Sequence, residues 1–289
     1  MKNKLEIICD GDSWTFGSEL VSIEHEKKYF VTGKHVGTYD FYEENDAYRI
    51  PKIWPSFLEK KLNGTTINLG WPADDNTTIL NRTISHITSN YLSKNKSTEN
   101  LLVIVGWSSP ERTFFWYDDG TVKYRYRLQP NTPHFDSKEQ EKFWKLYVTL
   151  MYNREEYLSR YIMNVLQLQT FCEFNNIKFL QYNSFYQKPH SHPDNWDDLN
   201  MKTELETLSA GGYIATIGLN RINFQFDYKS IWEQINPITF YKKDQVDNTF
   251  KSFIMKNCDT PFTGWHPSPE GHEKWANELY TYLIENNII

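Results

Sequence analysis

Hydrophobic positions along this chain follow two spacings, and the alternation between them outlines the fold. Leu5-Glu6-Ile7-Ile8-Cys9 is a short apolar run and predicts a first strand over residues 4–9. Trp54, Phe57, Leu58 and Leu62 recur at helical spacing, with Pro55 near the start and Asn63-Gly64 as the stop, so residues 53–62 read as a helix. Thr65 to Leu69 reads as a second strand. Asp74, Asp75 and Asn76 supply capping side chains for a helix whose inner stripe is Leu80, Ile84, Ile87 and Tyr91. Leu101 to Val105 is continuously apolar, as a central parallel strand covered on both faces must be. A helix over 155–174 presents Leu158, Tyr161, Val165, Leu168 and Cys172 on one side; Ile177 to Tyr182 is the fourth strand; a last helix starts near Pro269 and buries Trp275, Leu279 and either Tyr282 or Leu283.

Strand and helix in strict alternation predict an α/β layer fold with a parallel sheet. Ligands of such sheets bind beyond the carboxyl ends of the strands. Ser13, Gly70 and Gly106 each follow a predicted strand, so they are expected at one edge of the sheet although distant in sequence. Three stretches do not fit the minimal layer. Residues 18–50 are polar and aromatic without clear period and read as a surface excursion. Residues 111–135 contain a β-hairpin, Phe114 to Tyr117 and Val122 to Leu128 about an Asp118-Asp119-Gly120 turn. Its return strand puts Lys123, Arg125 and Arg127 on one face, the pattern of a solvated strand. Residues 184–258 read as an insertion near the site, a lid or specificity region, within one domain spanning residues 1–289.

Bulk properties narrow the function classes. A chain of 289 residues with 24% charged and 16% aromatic residues is a folded globular protein. Its net charge of -6 argues against nucleic acid as the main partner. Three scattered cysteines, Cys9, Cys172 and Cys258, form no disulfide framework and suit a reducing, cytoplasmic compartment. No leader-like apolar segment and no apolar run of ~20 residues is present, so neither a signal peptide nor a membrane span is expected. His190, His192 and Asp194 could match a zinc site, but they sit between prolines with no further ligand marked, so no metal or cofactor is expected.

The chemistry resides in two segments. Gly11-Asp12-Ser13 stands directly after the first strand, and His266-Pro267-Ser268-Pro269-Glu270-Gly271-His272 stands near the other end. A serine in a tight turn with a histidine delivered from far downstream is the arrangement that makes a hydroxyl nucleophilic. Asp12 reads as a turn-stabilising residue, and His272 as a structural residue of the last helix. Trp14, Trp71, Trp107 and Trp265 each neighbour one of the candidate segments, and four such rings at one edge would wall a cleft suited to sugars and acyl groups.

The ordered blocks Gly11-Asp12-Ser13, Asn68-Leu69-Gly70, Gly106-Trp107-Ser108-Ser109 and His266-Pro267 resemble those of the SGNH, or GDSL-type, hydrolases. Gly11 to Gly17 taken with Gly106 to Arg112 is similar to members encoded by tailed phages. The resemblance covers residues 4–116 and 258–286 and leaves out the middle. It implies a flavodoxin-like three-layer fold and metal-independent hydrolysis of a small acyl ester, an acetyl group on a carbohydrate among them. It also implies Ser13 as nucleophile and His266 as general base, with an oxyanion hole made by the N–H groups of Ser13 and Gly70 and a side-chain amide after the third strand. Two positions depart from the family. The asparagine of the third block is Ser108 here, and Asn76 is a possible substitute. The aspartate three residues before the histidine is Thr263; Asp259 is the nearest replacement in sequence, and a backbone carbonyl would leave a Ser-His dyad. Acyl transfer to a sugar hydroxyl, or a binding or structural module that has lost catalysis, are the competing functions.

Overall fold

The computed structural model describes residues 4–32, 39–118, 123–128, 138–185, 213–217, 220–224, 228–245 and 248–289. Four parallel strands form the central sheet: β1 (Glu6–Asp10), β2 (Thr65–Asn68), β3 (Leu101–Trp107) and β6 (Lys178–Asn183). Their order is β2-β1-β3-β6. The register pairs Ile8 with Ile67 and Val103, and Val105 with Gln181.

Period-two alternation sends successive side chains to opposite faces. Ile8, Val103, Val105 and Phe179 pack with Ile79, Leu80 and Ile87 of α5 (Asn76–Asn90) and with Leu158, Val165 and Leu168 of α7 (Arg154–Phe174). Ile7, Cys9, Leu102, Ile104 and Leu180 pack on the other side. Their partners there are Trp54 and Leu58 of α4 (Trp54–Leu62), Phe250 and Ile254 of α9 (Phe250–Asn257), and Trp275 and Leu279 of α10 (Pro269–Glu285). The result is the expected three-layer α/β fold. Among the described residues, no helix is long and apolar enough to cross a membrane.

The stretch expected to be irregular over 18–50 contains α2 (Ile23–Thr32) and α3 (Tyr39–Arg49) after the short α1 (Ser13–Phe16). The buried side chains described in α3, Asn45 and Arg49, are polar. Asn45 Nδ2 donates to Leu20 O at 2.7 Å, and the buried Arg49 guanidinium donates to Phe16 O. The helix is present although the sequence carries no clear apolar period there.

Strands β4 (Thr113–Asp118) and β5 (Lys123–Leu128) form the expected antiparallel hairpin, with Phe114 opposite Arg127. The described side chains do not include Lys123, Arg125 or Arg127. An unanticipated helix, α6 (Lys138–Leu146), follows. The middle region contains a second hairpin, β7 (Tyr213–Ile217) and β8 (Asn220–Phe224), then α8 (Tyr228–Glu233). Its last third rejoins the core: Phe240, Tyr241 and Phe250 are buried, and Gln181 bridges in parallel to Phe240. His190, His192 and Asp194 lie outside the described residues. All three cysteines are free, Cys9 and Cys172 buried in the core.

Candidate active site

The Gly-Asp-Ser turn forms because β1 ends in a buried acid and the next helix is capped by another. Asp12 has extended backbone and is the N-cap of α1, its Oδ1 accepting the Trp14 N–H at 3.0 Å. Ser13 is the first residue of α1. Its N–H takes part in no hydrogen bond among the described residues, as the first amide of a helix leaves it. Gly17 ends the helix in the left-handed region, where its N–H closes on Ser13 O.

Beneath the turn lies a buried ionic network. Arg82 donates to the carboxylates of Asp10 and Asp74, and Thr83 Oγ1 adds a 2.7 Å bond to Asp10 Oδ2. Arg112 Nη1 donates to Asp12 Oδ2 at 3.1 Å and to Asp74 O at 3.3 Å. All three aspartates are fully buried, a cost that only such pairing offsets. Burial raises the Asp10 carboxyl above its ordinary value, against the lowering pull of Arg82 and the Thr83 and Gly11 donors.

The histidine arrives on a two-stranded ribbon, β9 (Phe262–Thr263) and β10 (His266–Pro267), and β10 lies against α1. His266 is half-buried. Its Nδ1 is 3.2 Å from Glu19 Oε2, and the same oxygen accepts the Trp265 N–H at 2.6 Å. The ring is turned so that Nδ1 and the carboxylate are in ion-pair range without a well-aligned hydrogen bond. Partial burial works to raise the Glu19 carboxyl, but His266 and the Trp265 amide outweigh it and hold the group below its usual range. No hydrogen bond joins Ser13 Oγ to His266 among the described residues. Catalytic hydrogen bonds are commonly loose before substrate arrives.

His272 lies six residues on, fully buried within α10. Its Nδ1 accepts the Trp54 N–H at 3.3 Å, which leaves the proton on Nε2. Burial, helped by nearby His266 and Arg49, depresses it to about 3.

Several expected site residues are already committed elsewhere. Ser108 Oγ donates to Asp12 Oδ2 at 2.9 Å, so its only proton is not free for an oxyanion. Asn76 clamps the loop after β3: its Oδ1 accepts the Ser108 N–H at 2.7 Å, and its Nδ2 donates to Ser108 O at 3.0 Å and Ser109 O at 3.5 Å. The Gly70 N–H donates to Asn68 Oδ1 at 3.0 Å. Asp259 is exposed, and its backbone N–H, not its carboxylate, is bonded, to Glu270 Oε1 at 3.2 Å. Of the four tryptophans, Trp14 is 3% exposed and Trp107 0%, both core residues, whereas Trp71 is 41% and Trp265 59% exposed. The expected wall of four rings does not form, since Trp14 and Trp107 lie in the core. Glu19 was missed, its only sequence cue being a carboxylate in the first turn after the Gly-Asp-Ser segment.

A cavity of about 360 Å³ opens beside Gly70. Phe16, Trp71, Arg49, Asp46, Glu43 and Asn68 line it together with Ile50, Ile53, Leu69 and other residues; Ser13 and His266 do not. Among the described residues, no group of three His, Cys, Asp or Glu side chains could hold a metal ion.

Residues 41–206 match a family of unknown function (DUF6071), over more than half of the 289 residues. The chain belongs to this family. The DUF6071 match includes Asp74, Arg82 and Arg112 of the buried network, and excludes Asp10, Asp12, Ser13 and His266. No curated protein matches the chain. Three solved structures are similar in backbone. One is a carbohydrate esterase whose active site is described as displaying divergent catalytic and non-catalytic binding functions: 15% identity, TM-score 0.47, covering 99% of this chain and 66% of that one. The chain therefore spans just under two thirds of that relative's length. The second is a carbohydrate esterase family 2 enzyme with a carbohydrate binding domain from Corynascus thermopiles (Myceliophthora fergusii): 11% identity, TM-score 0.46, covering 99% and 67%. The third is the psychrotrophic esterase EstA from Pseudoalteromonas sp.: 10% identity, TM-score 0.44, covering 98% of each.

Proposed function

We propose that the chain is a serine ester hydrolase of the SGNH type, acting on a small acyl ester carried by a carbohydrate. The observation that carries this reading is the packing of α1, which opens with Ser13, against β10, which opens with His266. Ser13 Oγ attacks the ester carbonyl carbon while His266 Nε2 takes the hydroxyl proton. The negative charge that develops on the carbonyl oxygen meets the unbonded N–H of Ser13. Collapse breaks the bond to the alcohol, which leaves with the proton from His266. Water then attacks the acyl-serine, His266 again taking the proton, and collapse releases the acid as His266 returns that proton to Ser13 Oγ.

Ser108 and Asn76 have no place among the oxyanion donors in this scheme, because their donors are bonded to Asp12 and to the Ser108–Ser109 backbone. Gly70 would join only if its N–H left Asn68 Oδ1. The alcohol moiety suits the cavity beside Gly70. Its carboxylates and amide accept and donate to hydroxyls, and the exposed face of Trp71 suits a sugar ring.

A second reading, a binding module without turnover, is favoured by the number of tied donors. Turnover of p-nitrophenyl acetate by the whole chain, compared with Ser13→Ala and His266→Ala, separates the two. The hydrolase reading expects both substitutions to abolish turnover with folding intact. Equal turnover in all three proteins, or none in any while a sugar still binds, rejects it.

A further inference from the structure

We propose that Glu19 is the carboxylate that positions the His266 imidazole, supplied by the loop after α1 and not by the histidine's own strand. The inference rests on the hydrolase reading for its catalytic consequence, but on independent geometry for the pair itself.

Four observations converge on Glu19. Its Oε2 is 3.2 Å from His266 Nδ1. That oxygen also accepts the neighbouring Trp265 N–H at 2.6 Å, which fixes the carboxylate relative to the histidine backbone. The Glu19 backbone is at φ 65°, in the left-handed region that side chains other than Asn, Asp and Gly seldom occupy. Four of the seven described non-glycine residues with positive φ are asparagines, so a glutamate there is the less ordinary case. Finally, the turn between β9 and β10 is cut away to admit this acid. Gly264 has φ 62°, and a Cβ on it would overlap Glu19 Oε2.

The competing acids fall away on the same grounds. Thr263 has no charge, Asp259 is exposed and unbonded to the ring, and Glu111 Oε1 accepts the Tyr152 hydroxyl at 2.9 Å. A carboxylate at Nδ1 holds the ring proton there, leaves the Nε2 lone pair for a hydroxyl, and stabilises the imidazolium that forms. Glu19 touches no reacting atom, so it is a positioning residue.

Glu19→Gln tests this, because the amide oxygen can still accept the Trp265 N–H while the charge is lost. With p-nitrophenyl acetate, kcat is expected to fall about 10²- to 10⁴-fold with KM unchanged. ¹⁵N NMR of His266 is expected to show the Nδ1–H form of the neutral ring in the wild type and a shift away from it in the variant. A kcat within twofold of wild type and an unchanged tautomer would overturn the proposal, as a purely structural brace predicts. If the wild type has no turnover, the hydrolase reading fails while the tautomer comparison still decides the Glu19–His266 pairing. An identical His266 tautomer in both proteins then overturns the proposal.

Discussion

Acidification should destabilise this protein through His272 well before its exposed carboxylates are neutralised. The imidazole is sealed among α10, Phe250 and the Trp54 amide, and burial depresses it to about 3. In the unfolded chain a histidine titrates near ~6.5. The sign follows from proton counting. Below about pH 6.5 the unfolded state binds a proton that the native state refuses, so stability falls as the pH falls, and levels off only below about pH 3. Linking the two pKa values gives a loss of about 2 kcal/mol by pH 5 and about 3 kcal/mol by pH 4 relative to pH 7. His272→Asn removes the titration while Asn Oδ1 can still accept the Trp54 N–H. Urea unfolding of both proteins at pH 7, 6 and 5 measures the effect. The variant should be the weaker at pH 7, where it leaves unfilled volume, and the gap should narrow by about 2 kcal/mol at pH 5. A gap of constant size across that range would refute the buried, uncharged state of His272. It would also reopen the choice between the two histidines, since only a histidine that can take a proton serves as base.

Two further outcomes concern the architecture around Ser13. Gly264→Ala puts a methyl group against Glu19 Oε2 and an alanine at positive φ, so it should lower kcat in the same direction as Glu19→Gln and cost about 1–2 kcal/mol in unfolding experiments. Wild-type kcat in that variant would contradict the tight fit between the turn and the acid. Asp12→Asn keeps a competent helix cap but leaves buried Arg112 without its charge partner, so denaturant unfolding should report a loss of about 3–5 kcal/mol. Combining it with Arg112→Met should recover part of that loss, and strict additivity would deny the coupling.

The layered core was legible because each element carries its own pattern. Leu101 to Val105 reads as a doubly covered strand and is one, and the stripes of α4, α5, α7 and α10 are the residues that pack on the sheet. Legibility stopped where a buried face is polar. The buried side chains described in α3, Asn45 and Arg49, are polar and announce no apolar period. Tryptophan burial was equally hidden. Trp107 looks like a cleft residue beside Gly106, yet it lies in the core with its Nε1 donating to Gln181 Oε1 at 3.0 Å. The committed states of Ser108 and Gly70 depend on partners, Asp12 and Asn68, that only the folded turn brings near. Glu19 and His266 stand almost a whole chain apart. Spacing to the histidine pointed to Asp259, whereas proximity in space favours a residue from the first loop.

The juxtaposition of Ser13 with His266 is tested most directly by treating the protein with a fluorophosphonate and mapping the adduct by peptide mass. The account predicts one phosphonyl group, on the peptide carrying Ser13, and no labelling after His266→Ala. A fully folded protein that stays unlabelled, or one labelled at another serine, would contradict it.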